Sequence, residues 1–507
     1  MTRDNSKMTV LLTTPEQHDF QDPTVELNEN KLQRWLAGLP VLNAGESLRM
    51  VLNALEPLNE QKLDTDKRLA LLAVYQATVK RLYVAAEPAR LRQQPLSTEQ
   101  RQTVVDDVER LSLAMANGFK IVVKQMYGQA ALQDKGRFGQ VLRWSIQQLA
   151  AALLHSYRYY RPEPGFVFLE INQIYRLARH HGLQEIVSSD EQGDAQVNLA
   201  GVYQAVCLLS LCDPFSLEEG LADSFYSALL QYAGAARVVP GNSWQGVPEG
   251  LFFIDLAGDS RPRHCVYLDS PVEADEPHIL DARELLAQMH KTLAALPADR
   301  RRQRPEAGVL RALLPEVTPR DKRSSERLPD GRWIQMLSGF DAVISGLLAR
   351  RRGDQLHASA WRVKDASEGG YCLAWDESAA SLLHVGELVC VLADSEQQDA
   401  GPVQLMVVRW LRDGRDEGTE LGVELLDGIP GPVRLKVANE PGCEEQSALF
   451  LTSADNQGAA RLVTAAQVYA QDRILIVYVG EREVTVRCAA LLEQAPGFEC
   501  FEFTSGG

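Results

Sequence analysis

Over the first 180 or so residues, apolar side chains recur at spacings of three and four. The pattern runs through "ENKLQRWLAGL", "GESLRMVLNAL", "DKRLALLAVYQATVKRLYVAA" and "EQRQTVVDDVERLSLAMANGFKIVVKQMY", and it predicts amphipathic helices. "GRFGQVLRWSIQQLAAALLHSYRYY" and "GFVFLEINQIYRLARHHGL" continue it. Ser97, followed by Glu99 and Gln100, is a helix-start signal, and Pro57, Pro88 and Pro95 punctuate the segments. Short connections predict antiparallel neighbours. No fixed-period repeat supports a solenoid. The chain stays mainly helical from Val202 to Ala236. "EGLFFIDLAG" and "RHCVYLDS" then read as two paired strands, and "HILDARELLAQMHKTLAAL" as one more helix.

The pattern changes after "PADRRRQRPEAG" and "PRDKRSSERLPDG", which are rich in Pro, Arg and Asp and read as a boundary. The runs "RWIQMLSG", "QLHASAWRVKDAS", "GYCLAWD", "ELVCVLAD", "VQLMVVRWL" and "TELGVELLDG" are short, β-rich and divided by Gly/Asp turns. They predict a small barrel or sandwich. A second β-rich set, from "SALFLTS" to "FECFEFTS", either completes that barrel or forms its own. The expected fold class is multidomain α + β: an all-helical N-terminal domain, a β-barrel and a further β-rich C-terminal segment. The expected domains are a helical region at 1–297, an Arg/Pro-rich linker at 298–330, a barrel at 331–432 and a C-terminal extension at 433–507.

The 507 residues are 45% hydrophobic and 24% charged, ordinary globular composition, and their number suits two to four domains. A net charge of -16 disfavours duplex nucleic acid and anionic lipid, so an anionic ligand needs a local basic cluster. Eight cysteines (Cys207, Cys212, Cys265, Cys372, Cys390, Cys443, Cys488 and Cys500) include no CxxC pair and read as buried thiols of a reducing compartment. Apolar stretches such as "LAAALL" fall far short of the roughly 20 residues of a membrane span. The expectation is a cytoplasmic protein with no membrane insertion and no nucleic-acid partner.

No GxGxxG after a strand, GxxxxGK[ST], HExxH or GxSxG occurs. Adjacent His180 and His181 point apart on a helix and read as a helix-end pair favoured by the dipole rather than a metal site. An enzyme hidden around Arg161, Glu170 and His180 is a minor rival, because no nucleophile–base or metal spacing supports it.

The informative stretch is "KDASEGGYCLAW". The Asp365 carboxylate matches the adjacent N1–H and N2–H donors of a guanine. Ser367 can donate to a phosphate oxygen, and Gly369 and Gly370 let the backbone turn and a ligand approach. Upstream, Arg323 and Arg327 stand four apart beside Arg320 and Lys322, and guanidinium groups bind phosphate and stack on purines. Taken separately, the two stretches also read as a turn before a strand and a solvated, charged hinge.

Together they resemble a PilZ domain, the bacterial receptor module for cyclic di-GMP, whose pattern is RxxxR followed by [DN]xSxxG. Arg323 to Arg327 match the first half and Asp365 to Gly370 the second. "VVRWLRDGRDEGTELGVELL" looks like the family's closing hairpin, with Trp410 on one arm. The resemblance covers residues 320 to 430. It implies a six-stranded barrel that binds cyclic di-GMP, without catalysis or cofactor, through Arg323, Arg327, Asp365, Ser367 and Gly370. The 38 residues from Arg327 to Asp365 are a longer gap than expected, and Arg350, Arg351 and Arg352 lie within it. The leading expectation is an effector whose helical domain binds a protein partner and whose linker orders over the ligand. The alternative is a scaffold with a degenerate barrel that binds no nucleotide.

Overall fold

A computed structural model describes residues 10–19, 22–23, 25–40, 43–128, 134–187, 197–241, 244, 249–268, 272–301, 303–314, 327–375, 383–392, 403–414, 418–438, 444–452 and 460–505. The chain divides into two compact units, 1–214 with 219–320, and 215–218 with 321–507.

The first unit is helical. Its elements are α1 (Glu29–Ala37), α2 (Ala44–Glu60), α3 (Thr65–Ala85), α4 (Pro88–Arg92), α5 (Thr98–Gly128), α6 (Lys135–Arg158), α7 (Val167–His181), α8 (Leu199–Ser210) and α9 (Leu221–Tyr232). The starts are capped as the residues demand. Asp64, Asp134 and Asn198 accept the third N–H of α3, α6 and α8 at 2.9, 2.9 and 2.8 Å. Ser97 and Gln100 exchange bonds of 2.8 and 3.2 Å, a reciprocal capping box. The core runs along α5 and α6, where Leu111, Met115, Phe119, Phe138, Leu142, Ile146 and Leu149 are buried. Pro57, expected to punctuate, lies inside α2.

A four-stranded antiparallel sheet of order β1-β4-β2-β3 follows: β1 (Arg237–Pro240), β2 (Leu251–Asp255), β3 (Arg263–His264) and β4 (Pro277–Asp281). The expected β2–β3 pairing is present. "HILD", expected to open a helix, is instead most of β4, with its partners β1 and β2 on either side. The helix that follows it is α10 (Arg283–Ala294). Part of the stretch expected as a linker is helical: α11 (Ala298–Arg301) and α12 (Pro305–Leu313). α12 buries Val309, Leu310 and Leu313 and packs on α9 and α10. Arg320, Lys322 and Arg323 lie outside the described residues.

The second unit holds β5 (Leu328–Pro329), β6 (Trp333–Ser338), α13 (Phe340–Arg352), β7 (Ser359–Ser367), β8 (Gly370–Trp375), β9 (Leu388–Leu392), β10 (Gln404–Gly414) and β11 (Gly418–Leu425). Strands β7-β6-β9-β10-β11-β8 form a sheet that β7–β8 pairing closes into a six-stranded barrel. The second β-rich run forms its own closed barrel, of order β12-β13-β14-β17-β16-β15. It comprises β12 (Ile429–Val437), β13 (Gln446–Thr452), β14 (Arg461–Thr464), β15 (Ile474–Val479), β16 (Arg482–Gln494) and β17 (Glu499–Ser505). Helix α13 sits where both barrels meet. Val343, Ile344 and Leu347 of the helix join Leu337, Leu388, Cys390 and Leu405 of the first barrel, and Leu449, Leu451, Val463 and Phe498 of the second, in one cluster.

Among the described residues no helix is long and apolar enough to cross a membrane. Seven of the cysteines are buried and unpaired, and Cys443 lies outside the described residues.

Candidate ligand site on the first barrel

Strands β5 and β6 run along one edge of β7. Leu328 faces Ala366 and Pro329 faces Asp365, and then Trp333 faces Arg362 and Ile334 faces Trp361. The register slips by one residue between the two pairings, so Asp330–Arg332 form a bulge. The Asp330 carboxylate holds that bulge by accepting the N–H of Gly331 and of Arg332 at 2.7 and 3.0 Å. Those bonds, that of Arg332 foremost, keep its carboxyl below the usual range.

Continuing the β5 register places Arg327 opposite Ser367, two residues from Asp365 on β7. Strand side chains alternate, so Asp365 and Ser367 share a face. Arg327 meets that face: its Nη1 donates to Asp365 Oδ1 at 2.8 Å. The 38-residue gap therefore closes to one hydrogen bond, and α13 accounts for 13 of the intervening residues. The two side chains are 30% and 31% exposed, so a ligand can reach both. Cys372 on β8 is the partner of Asp365. Burial first, then the Asp365 charge, pushes its thiol above the ordinary range.

Ser367 Oγ donates to the Gly370 carbonyl at 3.2 Å, which ties the β7–β8 turn. A Cβ on Gly370 would fall 2.0 Å from the Val423 carbonyl oxygen, whereas Gly369 has open space around it. Gly370 is thus needed for the approach of β11, and Gly369 leaves the turn surface uncovered. In the closing hairpin, β10 pairs with β11, and Trp410 lies where a Gly422 Cβ would be.

Of the expected site residues, Arg327, Asp365, Ser367 and Gly370 come together here. Arg323 lies outside the described residues. The run Arg350–Arg352 forms the last turn of α13, where Arg352 bonds Asp354 at 2.8 Å; Arg327 is the arginine that reaches Asp365. Sequence reasoning missed Arg332, whose guanidinium lies 5.3 Å from the Tyr371 ring centroid. A basic residue in the Asp-Gly-Arg turn before β6, with an aromatic opening β8, is the signal that could have found it.

The residues of the minor catalytic rival serve separate contacts. Glu170 is buried and accepts Lys120 Nζ at 2.8 and 2.7 Å and the Thr13 N–H at 2.7 Å. Arg161 donates to Asp106 at 2.7 Å. His180 ends α7 beside His181, as a helix-end pair should.

Comparison with known proteins bears on both units. Residues 30–241 match the family model "Cyclic-di-GMP receptor FimW, N-terminal domain". Residues 348–430 match "Cyclic-di-GMP receptor FimW, middle PilZ domain". The second match contains Asp365, Ser367 and Gly370 and begins after Arg327. A curated relative, the cyclic-di-GMP receptor FimW of Pseudomonas aeruginosa, is 24% identical over 533 aligned residues, covering 89% of this chain and 85% of the relative. No solved structure matches.

Proposed function

We propose, for a chain that carries a PilZ domain, that it is an intracellular cyclic di-GMP effector that binds the nucleotide without transforming it. The observation that carries this reading is the Arg327–Asp365 hydrogen bond, which unites the two halves of the motif on one partly exposed face. Asp365 Oδ2 and the other guanidinium nitrogens of Arg327 make no hydrogen bond among the described residues. The carboxylate can accept from the N1–H and N2–H of a guanine, and the guanidinium can meet phosphate or the guanine O6 and N7. Arg323 completes the basic arm, and Gly370 keeps the turn in place. The relative named above is described as a cyclic-di-GMP receptor, which supports the same ligand here.

The helical unit then passes the signal to a protein partner.

Calorimetric titration with cyclic di-GMP tests the reading. Wild type should bind, and Arg327→Ala and Asp365→Ala should each weaken binding about tenfold to a hundredfold, the effect of losing a charged hydrogen-bonding partner. Binding unchanged in both variants, or absent in wild type, would leave the scaffold alternative standing.

A further inference from the structure

Strand β6 opens with an aromatic residue on the outside of the first barrel. Along β7, Trp361 and Val363 are buried, while Ala360, Arg362 and Lys364 are exposed, so the second set faces outward. Buried Ile334 faces Trp361, and its neighbour Trp333 faces Arg362. Trp333 therefore stands on the outer face. Asp365 reaches that face through a bulge. By alternation it would follow Val363 inward, where Val363 and Leu373 face each other fully buried. The β7–β8 register shifts by one residue between Val363 and Asp365, which turns Asp365 outward opposite Cys372.

The edge of β7 then carries three groups in order. Arg327 lies at the level of Ser367, Pro329 faces Asp365, and Trp333 faces Arg362. Asp365 is thus between the guanidinium and the indole. From Ser367 to Arg362 the strand runs about 16 Å. A mononucleotide is too short to engage both ends, whereas a cyclic dinucleotide with its bases turned apart can do so.

Trp333 is 47% exposed. The chain has seven tryptophans, and the other six are buried or half-buried. This ring alone is left on the surface. It is also held in place: the Asp330 carboxylate fixes the bulge just before it, and the ladder with β7 fixes its own backbone. A fixed, exposed indole offers a flat face on which a purine stacks.

We infer that Trp333 is a further ligand-contacting residue, the stacking platform for one guanine, while Asp365 takes the edge of the other. The inference rests on the reading of the Arg327–Asp365 site as a cyclic di-GMP site. The two groups divide the work. The carboxylate reads the donors of a guanine edge, and the indole, which accepts any base, favours a ligand with two bases over a ligand with one.

Calorimetry and acrylamide quenching of tryptophan fluorescence, both on the full chain with cyclic di-GMP, test it. Wild type should bind, and the bound base should shield Trp333, so that quenching falls. Trp333→Ala should weaken binding about fivefold to over a hundredfold, the worth of one base–aromatic stack. Trp333→Phe keeps a ring at an exposed strand position, so it folds even if Trp333→Ala does not. Its affinity should stay within about fivefold of wild type, and the ligand-dependent fall in quenching should vanish with the indole. No binding by wild type removes the reading of the site and this inference with it. Where wild type binds, the inference alone falls if Trp333→Ala binds as tightly, or if the ligand leaves acrylamide quenching of wild type unchanged. It also falls if Trp333→Phe loses as much affinity as Trp333→Ala, because a stacked base needs only a ring face.

Discussion

The two barrels of the second unit are built alike and equipped differently. Each is a closed, antiparallel, six-stranded sheet with an apolar interior, and both rest on the cluster under α13. The C-terminal barrel fills its inside with Leu435, Leu462, Leu475, Val477, Val486 and Phe501 and, among the described residues, inserts no helix between its strands. The first barrel carries two additions: α13 between β6 and β7, and β5 prolonging β6 along β7. The helix supplies the surface against which the second barrel docks. The strand brings Arg327 to Asp365. Closure of a sheet gives stability to both barrels alike, while the candidate ligand site of the first is completed by what that barrel adds at its edge, Arg327 beside Asp365.

The sharpest test of a shared support is Phe498→Ala. Phe498 belongs to the second barrel, is fully buried, and packs in the cluster that also holds Leu337 and Cys390 of the first. Truncating a buried Phe costs about 3–5 kcal/mol. Hydrogen exchange of the strand amides, followed on heating, should show both barrels opening together at a much lower temperature. Early opening of the C-terminal barrel alone would mean that the barrels are independent and that α13 does not join them.

Next in size is Gly370→Ala. A methyl group would be driven against the Val423 carbonyl oxygen, and either β8 or β11 must give way. Overpacking of this kind costs about 1–3 kcal/mol. The denaturation midpoint should fall, and cyclic di-GMP affinity with it, because the β7–β8 turn carries Ser367. A variant as stable as wild type would show that β11 yields easily and that the motif glycine is there for the ligand instead.

Much of this difference between barrels was legible in the chain. Short β-rich runs in both, the Asp–Ser–Gly turn and the Arg327 position can be read from residue types and spacing, because each is a local pattern. What escaped was set by partners far away in sequence. "HILD" is four residues that join a helical run without a break, and only β1 and β2 make them a strand. "FDAVISGLLARRR" ends in three arginines that read as a polar turn, yet its Val343, Ile344 and Leu347 are covered by both barrels. "VLRALL" sat in a stretch dominated by arginine and proline, but α9 and α10 give its apolar face a place to pack. A motif suggests that Arg327 and Asp365 lie close, but spacing along the chain is silent on it, since the approach depends on the β5 register. Arg332 went unnoticed because its partner, Tyr371, is brought near by the barrel's closure.

The smallest expected effect separates structure from binding at one side chain. In sequence, Ser367 reads as a donor to phosphate. In the folded chain its single hydroxyl proton is directed to the Gly370 carbonyl, 3.2 Å away, so the oxygen faces a ligand only as an acceptor. To donate to phosphate it would have to release that carbonyl, and the exchange of one neutral acceptor for a charged one yields little net gain. Ser367→Ala should therefore lower stability by about 0.5–1.5 kcal/mol, the value of a neutral hydrogen bond. Cyclic di-GMP affinity should fall less than about tenfold, well short of Asp365→Ala. The comparison is made by titrating both variants at a temperature where each is fully folded. If Ser367→Ala loses as much affinity as Asp365→Ala while its unfolding midpoint stays put, then the hydroxyl does turn to the ligand, and the turn of the first barrel is a binding element that holds without the serine bond.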